Sequence, residues 1–478
     1  MAQGTSSLFY KTGTPSGDLI AWMGTFAVGS VSMRPWTTRL NTPSKSRSFL
    51  FRPFGAFLFG HIGDKMGRKY AFMITIAMMG ICTFLVGCLP TYDQIGVASG
   101  FLLILLRIMQ GLALGGEYGG ASAYICEHCP QNQRGFYTSF LQFTGKLGVA
   151  LSLAVIITFK TTLGDDAWLQ YGWRFPYLLS IFFVALSVHL RMNIRESPIY
   201  AEAREGGQLI RAPVVEALFR PGNLYRILIA LGGVLGSAVC FQVSSFSALY
   251  FLQSTLNMDG TTAYVVVLVE SLFMVPFQLV SGWLSDRWGR RPVILLGIGL
   301  SAFFTYPLFY AVYDVRPYEN NDPTEPLRAT FSPVLMTVYF WILSLLSSIA
   351  YGPIAALLVE MFPTHIRFTC ISVPYHIANG IFGGLVPVLT ISINTATHNH
   401  FAGLFYPMSL YVLSYFSVMF LTPETYQVDI RCIDGVEDRA LLMRGAALGG
   451  EGRSLTAWNG DDVRGAESWR EYEFRVSR

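Results

Sequence analysis

The chain has 478 residues, 52% of them hydrophobic and only 13% charged, with a mean hydropathy of +0.43. That is roughly half the charge of an ordinary soluble domain and excludes a soluble globular protein. A net charge of +4 with no basic block gives no footing for nucleic acid. Seven scattered cysteines, most of them inside apolar runs, make no disulfide framework. Cys126-Glu127-His128-Cys129 lacks a second ligand pair at zinc spacing, so neither a metal nor a cofactor is expected.

The first eighteen residues are polar and carry no apolar segment of a cleaved leader. Leu19 to Gly29 and Phe49 to Gly60 are apolar, but each is too short for a bilayer core that takes about 20 helical residues. Between them, Ser30 to Ser48 holds Arg34, Arg39, Lys45, Arg47 and two prolines, with no acid. Joined directly, the two apolar pieces would make one helix of 23 residues. Ten span-length runs follow, at 70–89, 97–124, 136–159, 175–193, 227–252, 262–284, 292–313, 331–359, 370–392 and 401–421.

The longest polar connection, Arg191 to Arg226, leaves four runs before it and six after. The expected organisation is a helix bundle over 1–193, a cytoplasmic linker over 194–225, a six-helix bundle over 226–421 and a disordered tail over 422–478. Placing the loop at 61–69 in the cytoplasm puts Lys65, Arg68, Lys69, Arg134, Arg191, Arg195, Arg204, Arg211, Arg220, Arg226, Arg287, Arg290, Arg291 and Arg367 on that side. Only Lys160, Arg174, Arg316 and Arg328 fall opposite, which fixes the expected orientation and puts the tail in the cytoplasm.

Two motifs recur in order. Gly60-x-x-x-Asp64-Lys65-x-Gly67-Arg68-Lys69 returns as Gly282-x-x-x-Asp286-Arg287-x-Gly289-Arg290-Arg291, and Glu127-x-x-Pro130-x-x-x-Arg134 returns as Glu360-x-x-Pro363-x-x-x-Arg367. In each loop the first glycine permits close helix approach and the second makes the turn. The aspartate can meet the positive N-terminus of a facing helix, and the basic pair anchors the loop in the cytoplasm. Duplicated halves in a multi-span protein point to alternating-access transport. The candidate gating residues are therefore Gly60, Asp64, Gly67, Arg68, Glu127, Arg134, Gly282, Asp286, Gly289, Arg290, Glu360 and Arg367.

In its ten spans and both loop signatures the sequence resembles the major facilitator superfamily. The stretch from Arg107 to Gly120, Arg52-Pro53-Phe54-Gly55-Ala56, Arg195-Glu196-Ser197-Pro198 and Tyr351-Gly352-Pro353 leading into Glu360-Met361-Phe362-Pro363-Thr364 look like its metabolite:proton symporter branch. The resemblance covers about residues 17 to 425. It implies an all-α integral membrane fold of two pseudo-symmetric bundles. Substrate would lie between them, uptake would be driven by protons, and the substrate would be a small organic acid or a zwitterion such as proline or betaine. Against that pattern the first family helix is missing ahead of Gly17, and Ser30 to Ser48 reads as an insertion inside the second. A misassembled gene would explain both.

Ionisable groups at membrane depth need partners or a polar cavity, so they mark candidate sites. Arg107, Arg52 and Lys146 are candidate anion ligands, and Glu117 and Glu270 candidate proton carriers; Glu270 is equally a partner for Lys146 across the halves. Gln142, Gln242, Tyr250, Tyr375, His376 and Asn379 are candidate cavity-lining groups, although a hydrogen-bonded packing role suits His376 as well. The leading expectation is a proton-coupled symporter of a small carboxylate-bearing metabolite. A zwitterion symporter, a non-transporting sensor and an inactive product remain open. An enzyme is not expected, because no nucleophile–base set appears. The expected partners are a small-molecule substrate, protons and the lipid bilayer of a plasma or inner membrane. A monomer is the working oligomeric state.

Overall fold

The computed structural model describes residues 51–192, 213–318 and 326–428, together with Tyr200, Glu205 and Ile430. The interrupted segment Ser30 to Ser48, the apolar piece before it and most of the linker and tail lie outside the described residues.

Among the described residues every regular element is helical. The first bundle contributes α1 Arg52–Met66, α2 Arg68–Cys88, α3 Val97–His128, α4 Arg134–Leu163 and α5 Arg174–Met192. After a short helix, Pro213–Phe219, the second bundle opens with α6, which runs from Pro221 to Gln242 and on through π-helical turns to Thr255. Then come α7 Gly260–Trp288 and α8 Arg290–Asp314. Helix α9 comprises Pro333–Tyr351 and, past Gly352-Pro353, Ile354–Met361. Helix α10 comprises Arg367–His376, a π-helical stretch Ile377–Gly383, and Gly384–Thr397; α11 is Phe405–Phe420. Ten of these elements, α2 to α11, are long and apolar enough to cross a membrane.

Large apolar side chains such as Phe101, Phe182, Phe273, Phe303 and Phe405 stand more than half exposed on the outside, as a lipid-facing surface requires. The polar side chains turn inward instead. The bundles meet most extensively along two helix pairs: α1 packs along α10, and α4 along α7. Each pair closes on a signature glycine. A Cβ on Gly60 would sit 2.9 Å from Thr369 Oγ1 of α10, and one on Gly282 would collide with the Gly135 carbonyl and Ser139 of α4. The second signature glycines, Gly67 (φ 115°) and Gly289 (φ 95°), hold a backbone region open to glycine, where the chain reverses between helices.

Candidate transport pathway between the bundles

At the end of the bundles carrying the loop signatures, both loops reach across to the opposite half. The Asp64 carboxylate accepts from the backbone N–H groups of Phe368 (3.1 Å) and Thr369 (3.0 Å) and from Thr369 Oγ1 (2.7 Å) at the N-terminus of α10. Asp286 accepts from the N–H groups of Gly135 (2.8 Å) and Phe136 (2.7 Å) at the N-terminus of α4. An anion at a helix N-terminus meets unsatisfied N–H groups and the positive end of the helix dipole together.

The charges follow the same two-fold pattern. Glu127, ending α3, pairs with Arg68 of its own half and with Arg367 of the other at 2.7 Å. Glu360, ending α9, pairs with Arg290 of its own half at 3.1 Å and lies 3.9 Å from Arg134 of the other. Arg290 also pairs with Asp286 at 2.6 Å. All twelve predicted gating residues thus lie at this end, and its ion pairs and aspartate caps join the two halves.

The polar stretch from Thr422, expected to be disordered, instead has its first described residues bonded into this cluster. Glu424 accepts from the N–H groups of Arg290 (2.8 Å) and Arg291 (3.0 Å), and Thr425 Oγ1 donates to Glu360 at 2.8 Å. The carbonyls of Gln427 and Val428 accept from Gln131 and Arg134 of the first half, and that of Ile430 from Arg367 at 2.9 Å. Polarity suggested solvent, whereas the unspent donors of buried arginines drew the backbone in.

Halfway along the helices, Lys146 of α4 crosses into the second bundle. Its ammonium donates to Ser245 (2.7 Å), Ser344 (3.3 Å) and Glu270 (3.4 Å), one residue each from α6, α9 and α7. The Ser271 hydroxyl donates to the second Glu270 oxygen at 3.1 Å, and the ammonium stands 5.3 Å from the centre of the Phe241 ring. Both charged side chains are essentially fully buried. Ser245 belongs to the π-helical turn Val243–Ser247, a geometry that widens a helix and frequently marks a functional site.

Beside this pair the halves share an aromatic and polar cluster. Tyr118 of α3 stacks on Tyr375 of α10 with ring centres 3.4 Å apart, and Gln142 donates to the Tyr118 hydroxyl at 2.9 Å. The Tyr375 and Tyr351 hydroxyls are 2.6 Å apart, and Tyr351 donates to Asn379 at 3.3 Å. Phe241 stacks on Tyr351 at 5.4 Å. Gln242 is buried against Gly383 of the π-helical stretch in α10. Arg52 of α1 is buried within electrostatic reach of Tyr351, Tyr375 and His376.

Other candidates stand apart. Arg107 donates to Gln110 (3.0 Å) and to the Tyr177 hydroxyl (3.2 Å), while Gln110 donates to Thr83. These contacts tie α3 to α2 and α5 inside the first bundle. Glu117 is buried on α3 where Gly115, Gly116, Gly119 and Gly120 bring α1, α2 and α10 close. Tyr250 lies eight residues beyond Gln242 on α6, near Tyr264. Tyr118, Tyr351, Phe241, Ser245 and Ser344 were not singled out individually. Aromatic and hydroxyl side chains are ordinary in apolar helices, so only their convergence identifies them.

A fold of this kind, with charged and aromatic groups buried between two bundles, defines a multi-pass membrane transporter and not an enzyme. Residues 46–387 match the Major Facilitator Superfamily, and the chain belongs to that family. A Haemophilus influenzae chain described as a metabolite transport protein is 33% identical over 360 residues, covering 72% of this chain and 75% of that one. The glycine betaine/proline/ectoine/pipecolic acid transporter OusA of Dickeya dadantii is 27% identical over 430 residues, 88% and 78% of the two chains. Among solved structures, the proton:xylose symporter XylE shares the fold with a TM-score of 0.71 at 18% identity, over 92% of this chain and 99% of that one.

Proposed function

We propose that the protein is a proton-coupled symporter that carries a small carboxylate-bearing metabolite across the plasma membrane by alternating access, with its C-terminal tail in the cytoplasm. The observation that carries this reading is the Lys146–Glu270 pair. It is buried, it joins the two halves, and each member compensates the other's charge. A proton delivered to Glu270 leaves Lys146 with an uncompensated charge that an anionic substrate in the same cavity can answer. Loss of that proton restores the pair and ejects the anion, so proton and substrate move together.

The zwitterion reading has an observation of its own. The tyrosine faces of the central cluster suit a cationic nitrogen, and the names of several relatives, proline and betaine transporters, point the same way. Uptake into proteoliposomes, with succinate, proline and glycine betaine offered with and without an inward proton gradient, tests the proposal. Gradient-dependent accumulation of one of them is expected. Binding of a solute without accumulation would overturn symport in favour of a sensor.

A further inference from the structure

His376 is a buried polar side chain that the mechanism above does not use. It is 3% exposed, and neither ring nitrogen has a hydrogen-bond partner among the described residues. A packing histidine would be hydrogen-bonded, because an orphaned buried donor costs stability. The helix register says what it faces. Gly60 and Gly63 of α1 lie against Thr369 and Phe368 of α10. Seven residues on from Thr369, about two turns, His376 returns to the same face of α10, roughly 10.5 Å deeper. Arg52 lies eight residues back from Gly60, roughly 12 Å deeper along α1. The two groups therefore stand at similar depth on opposite bundles, within electrostatic reach of each other. The neighbouring Tyr375 ring lies perpendicular to the imidazole at 5.0 Å, and its hydroxyl is engaged with Tyr351. Ile377–Gly383, the π-helical stretch, begins at the next residue.

We propose that His376 donates a hydrogen bond to the carboxylate of the transported solute, with the Arg52 guanidinium facing the same carboxylate from α1. Both groups offer N–H donors, and a carboxylate has two oxygens to accept them. Because the donors ride on different bundles, the bound solute becomes a bridge between halves, and its loss frees α10 from α1. The inference deepens the proposed function and rests on its carboxylate-bearing substrate.

Equilibrium binding to the purified full chain in lipid nanodiscs tests it, with each acid paired with an amide: proline with prolinamide, and succinate with succinamide. Wild type is expected to prefer the acid. His376→Leu should shrink that preference about tenfold, the loss of one charge-assisted bond, whereas His376→Gln, which keeps a donor, should stay within about threefold of wild type. An unchanged preference in His376→Leu overturns the assignment while leaving the transport reading intact. An equal loss in His376→Gln overturns it too, since packing would then be the cause. A wild type that binds none of these acids overturns the substrate reading and this inference together.

Discussion

At the scale of single residues, the buried Lys146–Glu270 pair makes two predictions that separate stability from coupling. Lys146→Met leaves the Glu270 charge buried without its ammonium, and thermal unfolding in detergent should show a loss of about 3–5 kcal/mol. Combining it with Glu270→Leu removes both charges from an apolar setting, so most of that loss should return. A double variant no more stable than the single one would show that the pair is not the source. Glu270→Gln keeps a hydrogen-bonding group for Ser271 and Lys146 but cannot exchange a proton. It should still exchange labelled solute across proteoliposomes at equal concentration, yet fail to concentrate it on a pH gradient. The two charged residues are legible in the sequence, because a lysine or glutamate inside an apolar run is conspicuous. Their partners were not, since Ser245 and Ser344 look like any serine of a membrane helix.

At the scale of elements, the turn and the clasp at the signature end give further tests. Gly67 and Gly289 hold positive φ where the chain turns between helices. Alanine at either position should cost about 1–3 kcal/mol in strain, read as a lower melting temperature. Gly289→Ala should be the worse of the two, because the added Cβ would sit 2.6 Å from the Glu424 carboxylate. The residues after α11 bond to Gln131 and Arg134 of one half and to Arg290, Arg291, Glu360 and Arg367 of the other. Ending the chain at Leu421 should therefore weaken the closure of this end. A cysteine placed near Gly135 should then react with a maleimide about tenfold faster, the value of one lost charge-assisted hydrogen bond. Unchanged labelling would show that the clasp adds nothing to closure.

For the whole molecule, the repeated motifs predict matched behaviour from paired sites. Asp64→Asn and Asp286→Asn each remove charged acceptors from the N-terminus of a helix in the opposite bundle. Each should shift the equilibrium toward an open signature end by about 1.5–3 kcal/mol, read as longer spin-label distances between bundles, and the double variant should shift it further. Opposite shifts from the two would break the two-fold account. The sequence by itself determined the class of the molecule. Apolar runs of span length leave a helix as the only way to satisfy the backbone in lipid, and two ordered copies of a loop motif imply two related halves. It also picked out the twelve residues that gather at the signature end, because their spacing repeats. Only the tertiary structure decided which of them meet. Asp64 contacts a helix that begins some three hundred residues later, and Lys146 finds its acid in the other bundle. The same holds for Arg107, whose bonds lie within one bundle, and for His376, whose ring nitrogens have no hydrogen-bond partner among the described residues. Periodicity along a chain reports which face of a helix is apolar, but partnership across an interface depends on how whole helices are packed, and that is a property of no single segment.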